Sequence, residues 1–217
     1  TTLEDLWAFY NQNTIESIDP HIYFGGSKAK TIIMELLEKV REELETSKYS
    51  RGIVEESMKA SSLKVFYIGD IHGSFADLHT LIHFFTSEIE QRRAAQQSIK
   101  IIFLGDYVDR NPLDLHTLLY LMLFFLKHPQ EVILLRGNHE EIEINSRYGF
   151  RETILSDFDR ELFFSIESLF SLLPIVHILR TDGINIMGVH GGVPIYEVNP
   201  DQAVNLTEIS FRSKPTS

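Results

Sequence analysis

Three short segments of this 217-residue chain set a glycine beside residues that ligate cations or move protons: Gly69-Asp70-Ile71-His72-Gly73, Gly105-Asp106-Tyr107-Val108-Asp109-Arg110 and Gly137-Asn138-His139-Glu140. A fourth segment, Met187-Gly188-Val189-His190-Gly191-Gly192, adds one more histidine. Oxygen and imidazole donors without thiolate suit Mn, Fe or Zn. Asp106 has two carboxylate oxygens and could bridge two cations, an arrangement that sets such ions roughly 3.5 to 4 Å apart. Asn138 offers a second ion a neutral carbonyl oxygen, which limits the negative charge facing an anionic substrate. His139, with Asp109 to fix its ring and favour its protonated form, reads as a general acid toward a leaving alkoxide. Arg110 could hold two phosphate oxygens with its planar fork. The sum is a two-metal hydrolytic site for a phosphate ester.

Taken singly, each residue has a plainer reading. Asp70-x-His72 is a weak signal, His139 could be a surface histidine bonded to Glu140, and Arg110 could serve a salt bridge. What joins them is position, because each corner follows an apolar run: 63–68, 99–104, 131–135 and 184–189. A buried strand ending in glycine delivers the next side chain to the carboxyl edge of a sheet, where open α/β folds place their ligands. The first three corners are separated by about the length of a βαβ unit, roughly 30 residues. Three parallel strands are therefore predicted, the first at 63–68. Asp70 and His72 must both turn toward one ion, so Gly69 and Gly73 are expected to supply the bend.

The intervening segments read mainly as helices. Thr2-Leu3-Glu4-Asp5 has capping-box spacing ahead of Leu6, Trp7, Phe9 and Tyr10. From Lys28 to Ser47, Ile32, Ile33, Leu36, Leu37, Val40 and Leu44 recur at helical spacing and predict a helix packed on the sheet. Phe75, Leu78, Leu81, Ile82 and Phe85 predict another from Ser74, returning through a polar stretch from Glu88 to Ser98. Pro112 opens a third, with Leu115, Leu118, Leu119, Met122 and Phe125 on its apolar face. Helical patterns follow from Arg151 to Leu173, and Thr181-Asp182-Gly183 predicts a hairpin between two apolar runs. Asp157, Asp159 and Glu161 read as a solvated acidic turn. His21, His79, His83, His116, His128 and His177 read as structural.

The chain has no cysteine, which excludes disulfides and thiolate metal sites and fits a reducing compartment. Its formal net charge of -11 argues against broad nucleic-acid binding, which depends on Lys and Arg neutralising phosphates. No apolar run reaches the roughly 18 residues of a membrane span, and the amino terminus has no signal-peptide pattern. A cytoplasmic or nuclear location is expected, with neither a nucleic-acid nor a membrane partner. No nucleotide-binding glycine fingerprint or P-loop occurs.

The four corners, with Ile144-Asn145-Ser146-Arg147-Tyr148-Gly149-Phe150 and Leu173-Pro174-Ile175, resemble the metal-dependent serine/threonine phosphoprotein phosphatases, a branch of the calcineurin-like metallophosphoesterases. The resemblance covers about 63–193. It implies an α/β fold, a metallophosphoesterase sheet core flanked by helices, with a helical portion at 1–62 and the catalytic core at 63–217. It further implies that Asp70, His72 and Asp106 hold a first ion and that Asp106, Asn138 and His190 hold a second. Mn²⁺ is the first expectation for these divalent or trivalent ions, with Fe or Zn as alternatives. His139 with Asp109 would be the acid and Arg110 the phosphate contact, while a hydroxide activated by both ions attacks phosphoserine or phosphothreonine in proteins without a phosphoenzyme. A phosphoprotein substrate and a regulatory subunit are the implied partners.

Asn111 stands where the family has glycine, and Val193-Pro194-Ile195 replaces its Leu-Ser-Pro. The family's later histidine, arginine and tyrosine find no match here, so the core is expected to lack its C-terminal part, with a loose tail over 211–217. Two other functions remain open on sequence alone: a catalytically impaired chain that serves as a binding scaffold, and a metallophosphoesterase acting on nucleotides.

Overall fold

A computed structural model of the chain describes residues 2–13, 17–45, 49 and 52–192. Two three-stranded sheets carry the architecture. In one, β2 (Leu63–Ile68), β3 (Ser98–Phe103) and β4 (Val132–Leu134) lie parallel in that order. In the other, β1 (Ile53–Met58) pairs in parallel with β5 (Val176–Thr181), which pairs in antiparallel with β6 (Asn185–Val189). The three predicted parallel strands are present, as is the hairpin across Thr181-Asp182-Gly183. Register makes the corners coincide, because Ile68, Phe103 and Leu134 share one row. The loops bearing Asp70, Asp106 and Asn138 therefore leave the sheet side by side.

Sequence reading missed β1. Its residues Ile53-Val54-Glu55-Glu56-Ser57-Met58 are too polar to announce a strand, and pairing with β5 holds them. Residues 53–58 of the expected helical portion are thus part of a sheet. Nor is β2 a fully buried strand: it is an edge, flanked by β3 alone, and half-buried along its length. β3, at the centre, is buried from Ile99 to Phe103.

Polar side chains join the sheets. Lys100 of β3 donates to Glu56 of β1 at 2.5 Å and to the Gln130 carbonyl at 2.6 Å. Glu56 also lies 3.3 Å from His177 Nε2, and His177 Nδ1 is 3.1 Å from the Tyr67 hydroxyl on β2. Gly188 of β6 sits so close to Tyr67 that a Cβ would fall 2.5 Å from the ring. The absence of a side chain there lets β6 close onto β2.

Helices pack beside the parallel sheet and on one another. α1 (Leu3–Gln12) begins with the expected capping box, Asp5 N donating to Thr2 Oγ1 and Thr2 N donating to the Asp5 carboxylate. α2 (Ala29–Leu44) buries the predicted stripe; the end expected at Ser47 lies outside the described residues, as do Val193-Pro194-Ile195 and the tail at 211–217. α3 (Phe75–Ala94) extends through most of the stretch expected to be a polar return. Its last turn is fixed because Arg92 donates to the carbonyls of Ser98 and Ser62 at 2.9 and 3.0 Å. α4 (Asp114–Lys127) is buried from Asp114 to Phe125, with α1, α2 and α3 packed around it, so it has no polar face of the kind expected. α5 (Ile142–Tyr148), α6 (Phe150–Asp157) and α7 (Arg160–Phe170) complete the layer. The acidic turn is engaged: Asp159 caps α7 through Leu162 N, Lys30 pairs with Asp159 and Glu161, and Asp157 meets His21 and Tyr23.

His116, His128 and His177 are buried. His116 stacks on Tyr23 at 4.5 Å and hydrogen-bonds the Tyr10 hydroxyl at 2.9 Å, joining α4 to the amino-terminal segment. Burial lowers its pKa from the ordinary 6.5 to about 4. A depressed histidine binds protons more readily unfolded than folded, so its contribution is intact above pH 6.5 and lost as pH falls toward 4. His116→Gln should therefore be less stable than the parent at pH 7.5, with the gap narrowing by about 1–2 kcal/mol at pH 5. Urea melts of both proteins at the two pH values measure this, and a gap independent of pH would refute it.

Candidate active site

The four corners meet at one end of the two sheets. Asp106 enters from the loop after β3, Asp70 and His72 from that after β2, Asn138 and His139 from that after β4, and His190 from the residue after β6. The close approach of two loops is possible only because both carry glycine. A Cβ on Gly105 would lie 2.3 Å from Gly137 N, and one on Gly137 would lie 2.2 Å from Asp106 Oδ1.

The bend at Asp70-His72 has a different origin from the one expected. Gly73 adopts φ of 68° and its missing side chain admits Asn111 and Asp114, but Gly69 has open space and no left-handed backbone. The turning is done by His72 itself, at φ of 43°. Asp106, Asp109 and Arg110 also have positive φ, at 57°, 70° and 70°. Such backbone costs of order 1–3 kcal/mol per residue and persists only where its surroundings hold it. Here those surroundings are hydrogen bonds: His72 N donates to Asp106 O at 2.9 Å, Gly73 N to Tyr107 O at 2.9 Å, and Phe150 N to Asp109 Oδ1 at 2.9 Å.

Glu140 was not assigned a function from sequence, where it stood only as a plain partner for His139. It is fully buried, and its carboxylate accepts from Asp106 N at 2.7 Å, Tyr107 N at 2.8 Å and Gly137 N at 2.8 Å. Burial pushes its pKa up to about 7, against the pull of those three amides. Tyr107 adds a second tie, donating its hydroxyl to Leu135 O at 2.6 Å. Asn145 supports the same loop from below, donating to His139 O at 3.3 Å and to Glu167 at 2.6 Å.

The donors converge. Asp106 Oδ2 lies 3.5 Å from His72 Nε2 and 3.4 Å from His190 Nε2. Asp70 lies 3.7 Å from His72 and 3.9 Å from His190, and Asn138 Oδ1 is 2.9 Å from His190 Nε2. Two clusters of candidate ligands result, Asp70-Asp106-His190 and His72-Asp106-His139, with Asp106 common to both. The grouping of histidines differs from the one the resemblance implies, but the shared carboxylate is the same.

One feature tests whether cations fit. His72 Nδ1 is 2.9 Å from the Val108 carbonyl, which can only accept, so Nδ1 carries a proton and Nε2 is the ring atom turned to the site. That buried Nε2 has no hydrogen-bond partner and faces the carboxylates of Asp70 and Asp106. A positive charge is favoured between that nitrogen and the two carboxylates, as a proton on Nε2 or as a metal ion, and the set of imidazole and carboxylate donors fits such an ion.

Beside this pocket His139 Nδ1 is 2.6 Å from Asp109 Oδ2, both residues being buried. Arg110 Nη2 lies 3.3 Å from His139 Nε2, and the Tyr148 ring is 5.1 Å from the imidazole. A recess of about 240 Å³ opens next to Arg110, lined also by Asn111, Asp114, Tyr148 and Thr153. The structure thus brings Asp70, His72, Asp106, Asn138, His139, Asp109, Arg110 and His190 into one site.

Paired clusters of oxygen and imidazole donors thus lie beside an arginine and a carboxylate-held histidine. The chain belongs to the calcineurin-like phosphoesterase family, whose model matches residues 63–216. A serine/threonine-protein phosphatase of Caenorhabditis elegans, C23G10.1, is 30% identical over 156 residues, which are 70% of this chain and 32% of that protein. The chain spans about a third of the length of this curated relative. A Saccharomyces cerevisiae protein serine/threonine phosphatase, described as similar to human phosphatase PP5, shares the fold. That likeness has a TM-score of 0.62 at 23% identity and covers 76% of this chain and 49% of the yeast chain. The resemblance in the four corners and the expected mixed α/β core with flanking helices are both shown by these comparisons.

Glu140→Gln keeps the shape of the side chain but turns an amide donor toward backbone donors. The variant should lose about 1–3 kcal/mol of stability, the cost of leaving a buried donor unpaired. Chemical denaturation read by tyrosine and tryptophan fluorescence checks this; a midpoint equal to that of the parent would show that the three amides do not need the carboxylate.

Proposed function

We propose that the chain hydrolyses phosphoserine and phosphothreonine monoesters on proteins. The observation that carries the metal-dependent part is the buried, unpartnered Nε2 of His72 facing Asp70 and Asp106, with Asp106 common to both ligand clusters. The serine/threonine phosphatase relative supports the substrate class. Asp70, His72 and Asp106 would hold one ion and Asp106, Asn138 and His190 the other, with Mn²⁺ expected first and Fe or Zn as alternatives. When bound, paired ions neutralise charge on the phosphoryl oxygens and lower the pKa of water.

The remaining roles follow from the side chains. Arg110 donates toward His139 Nε2, so in this arrangement the imidazole is neutral and protonated on Nδ1, facing Asp109. A phosphate oxygen competes for the same guanidinium with a full negative charge. Once Arg110 turns to it, Nε2 is free to take a proton from solvent and pass it to the departing serine or threonine oxygen, which leaves as the alcohol. Asp109, buried and held also by Phe150 N, keeps the ring from turning. A phosphoprotein is the partner in this reading, with a regulatory subunit as a further one.

Asp106→Asn should lower occupancy of both ions, whereas Asp70→Asn should weaken chiefly one; elemental analysis of the folded variants decides, and two fully retained ions in Asp106→Asn would disprove the bridge. His139→Gln should retain the ions yet slow hydrolysis of an alkyl phosphopeptide by about 10²–10⁴. An activated aryl phosphate, whose leaving group needs less protonation, should suffer less, and equal losses would assign His139 a positioning role. Substrate class is tested with the Mn²⁺-loaded chain. A phosphothreonine peptide should turn over faster than phosphodiesters or dinucleoside polyphosphates; the reverse order would move the assignment to nucleotides, and failure to bind ions would favour a scaffold.

A further inference from the structure

His79 and His83, read from sequence as structural, are one helical turn apart on α3. Their rings stand 4.4 Å apart, with Nε2 of one 3.2 Å from Nε2 of the other. Two nitrogens bound to one ion at about 2.0–2.1 Å, with angles between 90° and 109°, lie about 2.9–3.4 Å apart. The pair already has that bite. We propose that His79 and His83 form an open two-histidine site for one divalent ion of the zinc or copper class, separate from the phosphoesterase centre.

Two further observations support the assignment. Burial, reinforced by the neighbouring His83, holds the His79 pKa below its ordinary value, so the ring is neutral and its lone pair available at pH 7. Access is open on the other side, because His83 is exposed while His79 is half-buried against Phe75 and Tyr120. One of the two rings donates across that gap. Ion binding needs only a shift of that proton to Nδ1 of its own ring, with no net change in charge on the imidazoles.

Among the described residues, clusters of three or more candidate ligands all contain Asp106, so no third His or acidic side chain completes the shell on α3. Water fills the remaining positions. Imidazole ligands with open water positions favour copper and zinc over manganese, following the general order of affinities for nitrogen sites. The two sites should therefore differ in ion preference.

Zn²⁺ uptake by the whole chain, followed by equilibrium dialysis with elemental analysis, tests the site. His79→Gln, His83→Gln and the double variant should each lose the same single equivalent, because either change breaks the one chelate. His21→Gln, at another exposed histidine, should lose none. The affinity of any ion left on one imidazole should fall at least about tenfold, since the second ligand no longer binds intramolecularly. Uptake unchanged in His83→Gln would overturn the proposal. So would additive losses, in which the double variant loses the sum of the singles, because that would mean two independent single-histidine sites. Mn²⁺ content at the Asp106 cluster should persist in all of these variants, which separates failure here from failure of the phosphatase reading.

Discussion

The carboxylate of Glu140 is the interaction on which the site depends. The loops leaving β3 and β4 each bring backbone amides to the same buried place, and an amide left there without an acceptor would cost about 1–3 kcal/mol. One side chain satisfies three of them, at Asp106, Tyr107 and Gly137. It does so where Gly105 and Gly137 have no side chains to hold the loops apart. The consequence is positional. Asp106 cannot slide along its loop without releasing an acceptor that three donors share, and Asp106 Oδ1 in turn receives His139 N at 2.9 Å. The candidate bridging carboxylate and the candidate acid are thus fixed by one network.

The other half of the site arrives from the second sheet, and what brings it is mainly polar. Strand β6 delivers His190 only if it packs against β2, and Gly188 permits that contact by leaving room for Tyr67. The chain Lys100, Glu56, His177 and Tyr67 then pins β1 and β5 to β2 and β3. A fully apolar interface would leave the two sheets freer to slide, since hydrophobic contact is non-directional. A hydrogen-bonded one has fewer registers in which every group is satisfied. His190 can therefore meet Asp106 and Asn138 although it lies some fifty residues beyond Asn138 in sequence and in a different sheet.

How much of this was legible follows from which groups make the contacts. The parallel strands were, because buried strands are written in β-branched and aromatic residues and the glycine corners mark where they stop. The site residues were legible as a set because side-chain chemistry carries their roles. Glu140 was not, since its partners are backbone amides and amides have no residue type. The strand Ile53–Met58 was hidden for a related reason: Glu56 makes it look exposed, and the distant Lys100 and His177 explain a carboxylate between sheets. The end of α3 was misread because polar residues there cap a neighbouring strand through Arg92 rather than form a loop. The spacing of His79 and His83 was visible throughout, but four residues apart means neighbours only once the segment is known to be helical.

Strain and electrostatics converge on the same few residues. Among the described residues, five non-glycine positions have positive φ, and four of them are His72, Asp106, Asp109 and Arg110. Relaxing any of these would move a donor: His72 Nε2 away from the carboxylates, or Arg110 away from His139. His72 Nε2 faces two carboxylates on one side, and the Arg110 guanidinium meets the His139 imidazole on the other. In the proposed reading, cations balance the carboxylates and a phosphate takes the guanidinium. The strained backbone thus holds two charged groupings side by side, where a single phosphate ester bound to Arg110 would lie against the ions.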